Sequence, residues 1–388
     1  MGRLGTTSSL ALVVACFLAG MALSTAPTPL YPAYEARFGI GPAGVTLLFA
    51  GFAVGAIASL LASLRVLHGV DLRRVVALAA GIEAVAALAL GLLPSFGGFA
   101  VGRLLTGVGV GVLASSISVI IGRIAEARPR SRASAVALRI APALSMCGLA
   151  LGPLVSGIAV PTDPAELRAL YLMYAAVLGL GAVAAVVVIP PLPVSARESP
   201  GSPAAAPPDR PEGWILLGAF LAFSVTGLFG ALAPTLLAAM SGAVPVPVSG
   251  SVVASVFLAG AVAPQVVRGR AAGIRAGTAA LTVGLVLVAA ATTAGLIGLF
   301  VVAGTLSGAG AGVVFSAALR AALGAANAAT RPRASTLVFT AAYAGLAVPV
   351  VGVGVLLTVA PPALAAWLFA AAIATGAVVL RRASPRRA

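Results

Sequence analysis

The chain has 388 residues, 61% of them hydrophobic and only 9% charged, with a formal net charge of +15. A soluble domain carries roughly 25% charged residues, so an ordinary soluble fold is excluded. All 24 basic residues are arginine and stand between apolar blocks, not in a compact basic stretch with interleaved aromatics, which argues against a nucleic-acid reader.

The apolar blocks are long enough to cross a bilayer as helices, the spanning element that satisfies its own backbone in lipid. The short alternating segments of a β-barrel are absent. Twelve spans are expected, at about 9–31, 43–65, 74–94, 97–122, 135–159, 168–190, 213–239, 247–267, 275–293, 295–319, 334–358 and 361–380. The first opens as a secretory signal would, with Arg3, an apolar core, the box VVAC ending at Cys16, and ALSTA at 22–26. It is read as an uncleaved helix, because the two halves of the chain match only if it is kept. Cys16 and Cys147 both lie inside apolar blocks, so no disulfide is expected.

With the N-terminus inside, twenty arginines fall in inner segments and two, Arg37 and Arg168, in outer ones. That asymmetry places both termini in the cytoplasm, and the all-Arg, Ala-rich composition suggests a bacterium, hence its plasma (inner) membrane. Arg103 and Arg139 remain within spans. Glu35 stands near the outer end of the first span as an interface or gate residue. Glu83 is the one carboxylate well inside a span, and an intramembrane carboxylate is a functional candidate by default. A neutral scaffold glutamate is the plain alternative. No acidic residue lies beyond Glu212, and the single histidine is His68, so side-chain proton carriers of those types belong to the first half.

The fourth span reads GRLLTGVGVGVLASS at 102–116, and its Gly107, Gly109 and Gly111 resemble a phosphate-cradling loop. They stand in mid-span, however, where their N–H groups are committed to the helix. RLLTGVGVGVLAS at 103–115 repeats as GTLSGAGAGVVFS at 304–316, with Gly308, Gly310 and Gly312. The same shift of 201 carries Arg132-Ala133-Ser134 onto Arg333-Ala334-Ser335. The halves are copies, so the glycines are packing and rocking surfaces. Arg103 is not copied, because Gly304 takes its place. It faces a water-filled cavity or snorkels to the nearby surface. Arg139 guards the inner vestibule or snorkels likewise. The segment 191–212, rich in Pro, Ser and Ala, divides an N-terminal six-helix bundle (1–190) from a C-terminal one (213–388).

Two six-helix halves of this kind resemble the major facilitator superfamily, and within it the proton-coupled export branch. Three stretches carry the resemblance. RVLHGVDLRRVV at 65–76 keeps the terminal basic pair, Arg73 and Arg74, of the family's gate loop. Gly69 stands at its usual Asp position, with Asp71 and His68 as substitutes. Arg103 and Gly107 match R-x-x-x-G of the fourth span. Gly148, Gly152, Pro153 and Gly157 match G-x-x-x-G-P-x-x-x-G of the fifth, associated with exporters, where it implies a kinked surface that packs closely on the neighbouring half and can rock.

The resemblance implies a monomeric all-α membrane protein with a central cavity lined by spans one, four, seven and ten. Polar candidates there include Thr106, Ser115 and Ser116 beside Arg103. Their modest number implies a small amphipathic substrate exported against protons, with the lipid bilayer as the other partner. An uncoupled facilitator or importer is the alternative, and a non-transporting receptor of the same fold is a third reading. No cofactor or metal is expected, and no Walker A, H-E-x-x-H or G-x-S-x-G motif speaks for an enzyme.

Overall fold

The computed structural model describes residues 3–66, 70–127, 132–159, 164–189, 211–267, 270–326 and 330–384, with backbone alone at 3–7, 115–127, 132–142, 164–166 and 270–272. His68 and segment 191–210 lie outside the described residues. Those that are described form helices joined by short turns, with no extended sheet.

In chain order the helices are α1 (Arg3–Thr25), α2 (Tyr31–Phe38), α3 (Pro42–Val66), α4 (Leu72–Leu92), α5 (Phe96–Ala127), α6 (Arg132–Ala159) and α7 (Pro164–Val188). Then follow α8 (Gly213–Ser241), α9 (Val246–Val266), α10 (Arg270–Ala294), α11 (Ile297–Ala325), α12 (Arg331–Leu356) and α13 (Pro362–Ala383). Each expected span has its helix. Among the described residues, eleven helical segments are long and apolar enough to cross a membrane, and α6 adds the apolar segment Ala143–Ala159.

The first span departs from expectation. It stops at Thr25, passes through a 3-10 turn at Thr28–Leu30, and continues as the separate helix α2. The prolines explain the break. Pro27, Pro29 and Pro32 lack N–H donors, so an uninterrupted ladder cannot form across them. At the faintest division, between α10 and α11, Gly295 adopts φ 69°, a left-handed turn that glycine takes without strain.

The packing repeats. In the first half α1 packs on α6, α3 on α5, α4 on α5, and α4 on α7. In the second, α8 packs on α12, α9 on α11, α10 on α11, and α10 on α13. Each pair is the other's counterpart six spans later, and α2 alone has none. Between the halves α3 lies on α12 and α6 on α9, pairs that a two-fold relation interchanges.

Valine and leucine cover the outside. Leu180, Val183 and Val187, one stripe of α7, are 72%, 67% and 79% exposed. An apolar surface of this extent belongs in lipid.

Candidate functional site

Arg103 stands on α5 about two turns below the end of the bundle that is poor in arginine, and it is completely buried. It does not snorkel. The 3-10 turn and α2 close that end, and the guanidinium turns inward. One of its nitrogens donates to the carbonyl oxygen of Ser24. Ser24 lies in the last turn of α1, where carbonyls run out of intrahelical donors, and the negative end of a helix favours a cation. The rings of Phe49 and Phe52 on α3 flank the guanidinium, with centroids 5.6 and 5.1 Å from its carbon. Its Nε and Nη2 have no hydrogen-bond partner among the described residues.

Glu83, on α4, is also completely buried, and neither carboxyl oxygen has a hydrogen-bond partner among the described residues. The backbone N–H of Val110 is close enough for its dipole to act on the carboxyl, yet outside hydrogen-bond geometry. The side chain fits because two glycines make room. A methyl group on Gly109 of α5 or on Gly20 of α1 would meet it. Arg103 and Glu83 feel each other's charge but form no ion pair.

The glycine repeat has a division of labour. Gly107 and Gly111 admit α3, where an added methyl would strike the backbone of Phe52 and Ala56. Gly308 and Gly312 admit α9 in the same way, against Val256 and Gly260. The middle glycines differ. Gly310 meets the backbone of α10 at Gly277 and Leu281, whereas Gly109 meets the Glu83 side chain. These glycines therefore pack helices within each half.

Gly148 and Gly152 of α6 likewise press on α1, beside Met21 and Thr25. Only the end of that motif reaches the other half: Gly157 abuts Pro247, and the Pro153 carbonyl abuts Gly250, both on α9. Pro153 has no N–H to give the carbonyl four residues back, at Leu149, and the Thr25 hydroxyl donates to it at 2.8 Å. Pro234 in α8 frees the carbonyl of Gly230 in the same way, and Thr28 donates to that one at 2.7 Å. Two threonines just past and within the end of α1 thus supply what two prolines withhold, one in its own half and one in the other.

The other candidates are spread out. Thr106 is buried and spends its hydroxyl on Gly102, one turn back. Asp71, Arg73 and Arg74 come together at the start of α4, with Arg73 3.5 Å and Arg74 4.0 Å from the Asp71 carboxylate. The side chains of Ser115, Ser116 and Arg139 lie outside the described residues. Glu35 accepts a hydrogen bond from Thr235 of the other half at 3.4 Å.

Two clusters escaped the sequence reading. Tyr34 and Tyr171 share a hydroxyl–hydroxyl hydrogen bond of 2.9 Å, and the hydroxyls of Tyr31 and Tyr174 are buried without partners among the described residues. The signal was the spacing i, i+3 in YPAY at 31–34 and YLMY at 171–174. The aromatics, scarce overall, also gather where the halves meet. Phe52 is edge-on to Tyr343 at 5.7 Å, Tyr343 to Phe223 at 5.9 Å, and Phe223 is tilted on Phe315 at 4.7 Å.

The family model described as Major Facilitator Superfamily matches residues 10–293. No curated protein matches the chain in sequence. Among solved structures, a bacterial homologue of the human lysosomal transporter Spinster, inward-facing and unoccupied, superposes with a TM-score of 0.67. It is 13% identical, with 99% of this chain and 94% of that one covered. A mutant of the nucleoside transporter NupG gives a TM-score of 0.71 at 12% identity, covering 97% of this chain and 100% of that one.

Proposed function

The chain belongs to the major facilitator superfamily, and from that premise we propose that this membrane transporter exports a small amphipathic molecule in exchange for protons. Its moving bodies are residues 1–190 and 213–388, rocking about the α3–α12 and α6–α9 seams. Both termini face the cytoplasm of a bacterial plasma membrane, since the arginine-rich ends of the spans stay on that side.

One observation supports proton coupling above the rest: Glu83 is fully buried with both carboxyl oxygens unpartnered among the described residues. A carboxylate without a fixed partner is costly to keep charged in a dry interior, and one that gains and loses a proton as water reaches it can couple that proton to a conformational change. The groups acting on it are Arg103 of α5, Tyr343 of α12 and the N–H of Val110. Gly20 and Gly109 keep α1 and α5 thin beside it, so a small displacement of either would admit water.

The degenerate gate loop and a second half without carboxylates favour an uncoupled facilitator as the second reading. Flux in reconstituted vesicles decides between them. With probes spanning neutral, cationic and anionic amphiphiles, an inward proton gradient is expected to drive export of at least one. Flux that ignores the gradient supports the facilitator.

A further inference from the structure

At the arginine-poor end of the first half, Nε and Nη2 of Arg103 and the hydroxyls of Tyr31 and Tyr174 are buried without partners among the described residues. Arg103 and Tyr31 are each completely inaccessible. A guanidinium offers only donors and cannot shed its charge, so a buried one calls for acceptors. The Ser24 carbonyl takes one nitrogen. The two that remain form one edge of the planar fork, the edge that grips the paired oxygens of a carboxylate.

Phe49 and Phe52 flank the guanidinium. Tyr31 follows directly on the 3-10 turn, and the charge of Arg103 acts on it and on Tyr34 and Tyr171. A tyrosine hydroxyl with no partner can add a further donor. Glu83 does not fill the place. It packs on Gly109, six residues or ~9 Å further along α5, and its own oxygens are equally unpartnered. Both the cation and the carboxyl are therefore short of partners, and they form no ion pair with each other.

We infer that the free edge of Arg103, with the Tyr31 hydroxyl, binds a carboxylate or another small monoanion between α1, α3 and α5. Phe52 carries the site onward to Tyr343, Phe223 and Phe315, a wall suited to a flat apolar body. The molecule carried is accordingly a hydrophobic or aromatic monocarboxylate. This last step rests on the transporter reading; the anion site does not.

Equilibrium dialysis of the detergent-solubilised full chain against labelled benzoate and labelled chloride tests it, with benzamide as the neutral competitor. The native chain is expected to bind one anion saturably and to ignore benzamide. Tyr31→Phe, which removes a single oxygen, should weaken binding about tenfold, as loss of a hydrogen bond to a charged group does. Arg103→Gln should abolish it. Benzoate that displaces chloride assigns the site to a carried carboxylate. Chloride that benzoate does not displace keeps the anion site and overturns the carboxylate substrate. No saturable binding by monodisperse native protein, or equal affinity in Tyr31→Phe and Arg103→Gln, overturns the site itself. Flux of neutral solutes in vesicles would survive that outcome, so the two readings fail separately.

Discussion

Gly109 and Glu83 share one place between α5 and α4. A methyl group on Gly109 would stand 2.5 Å from the Glu83 Cγ and 2.7 Å from its Oε1. The corresponding glycine of the second half, Gly310, meets backbone instead. The first half thus holds a carboxyl where the second has helix on helix. Gly109→Ala should cost about 1–3 kcal/mol through overpacking. Glu83→Ala should recover most of that loss, because it empties the contested space. A double-mutant cycle on thermal unfolding in detergent reads the coupling. Additive losses would mean that the two residues do not compete.

Glu83→Gln keeps the shape of the side chain and removes its titration. A gradient of one pH unit is worth ~1.4 kcal/mol per proton, so it can drive up to roughly tenfold accumulation in the native chain. The glutamine variant should still equilibrate substrate down its own gradient while accumulation falls to about onefold. Vesicles with imposed pH gradients measure both. Full accumulation by the variant would remove Glu83 as the proton carrier.

Much of this architecture was legible because lipid imposes it. Long apolar blocks must be helices, and a repeat such as GVGVG against GAGAG forces equal packing in both halves. The uncopied Arg103 stood out for the same reason. Its burial was not legible, because depth counted along a straight span ends at the surface, whereas past the break at Pro27, Pro29 and Pro32 the chain runs on as α2, with Tyr34 and Phe38 packed on Phe99 and Phe96 at the start of α5. The motif at 148–157 was readable as a packing surface. Its division between α1 and α9 was not, since one helix face can serve two neighbours. Thr25 and Thr28 answer to carbonyls freed by Pro153 and Pro234, a pairing visible only once the helices are side by side. The tyrosines at i, i+3 are inconspicuous as single residues, and only the packed helices bring Tyr34 and Tyr171 into one hydrogen bond.

The glycines can be sorted by what an added methyl would meet. At Gly107 and Gly312 it meets the backbone of a neighbouring helix, Phe52 and Gly260 respectively, which can yield only by moving the helix. At Gly81 and Gly352 it meets open space. Alanine at the first pair should cost about 1–3 kcal/mol or prevent folding. At the second pair it should be neutral or stabilising by about 0.4–1 kcal/mol, since alanine narrows the unfolded ensemble. The yield of monodisperse protein and its unfolding temperature separate the two classes. Equal effects at all four positions would refute the close helix approach.

The contact most open to a conformational test is the hydrogen bond from Thr28 to Gly230. It crosses the seam between the halves at the arginine-poor end, near the contacts of Glu35 with Thr235 and Thr46 with Gly354. The Gly230 carbonyl is free because Pro234 has no N–H to offer, so the bond exists only while this end is shut. Thr28→Val keeps the volume and deletes the donor. A typical hydrogen bond contributes about 0.5–1.5 kcal/mol, which shifts a two-state equilibrium roughly two- to tenfold. In a chain with Cys16 and Cys147 replaced by alanine, a cysteine placed at half-buried Thr235 should then react with a water-soluble thiol reagent about two- to tenfold faster. Thr25→Val removes the matching bond to Leu149 inside the first half and should leave that rate unchanged, because both its partners move together. A rate that rises equally in both variants would trace the effect to general loosening and not to the seam.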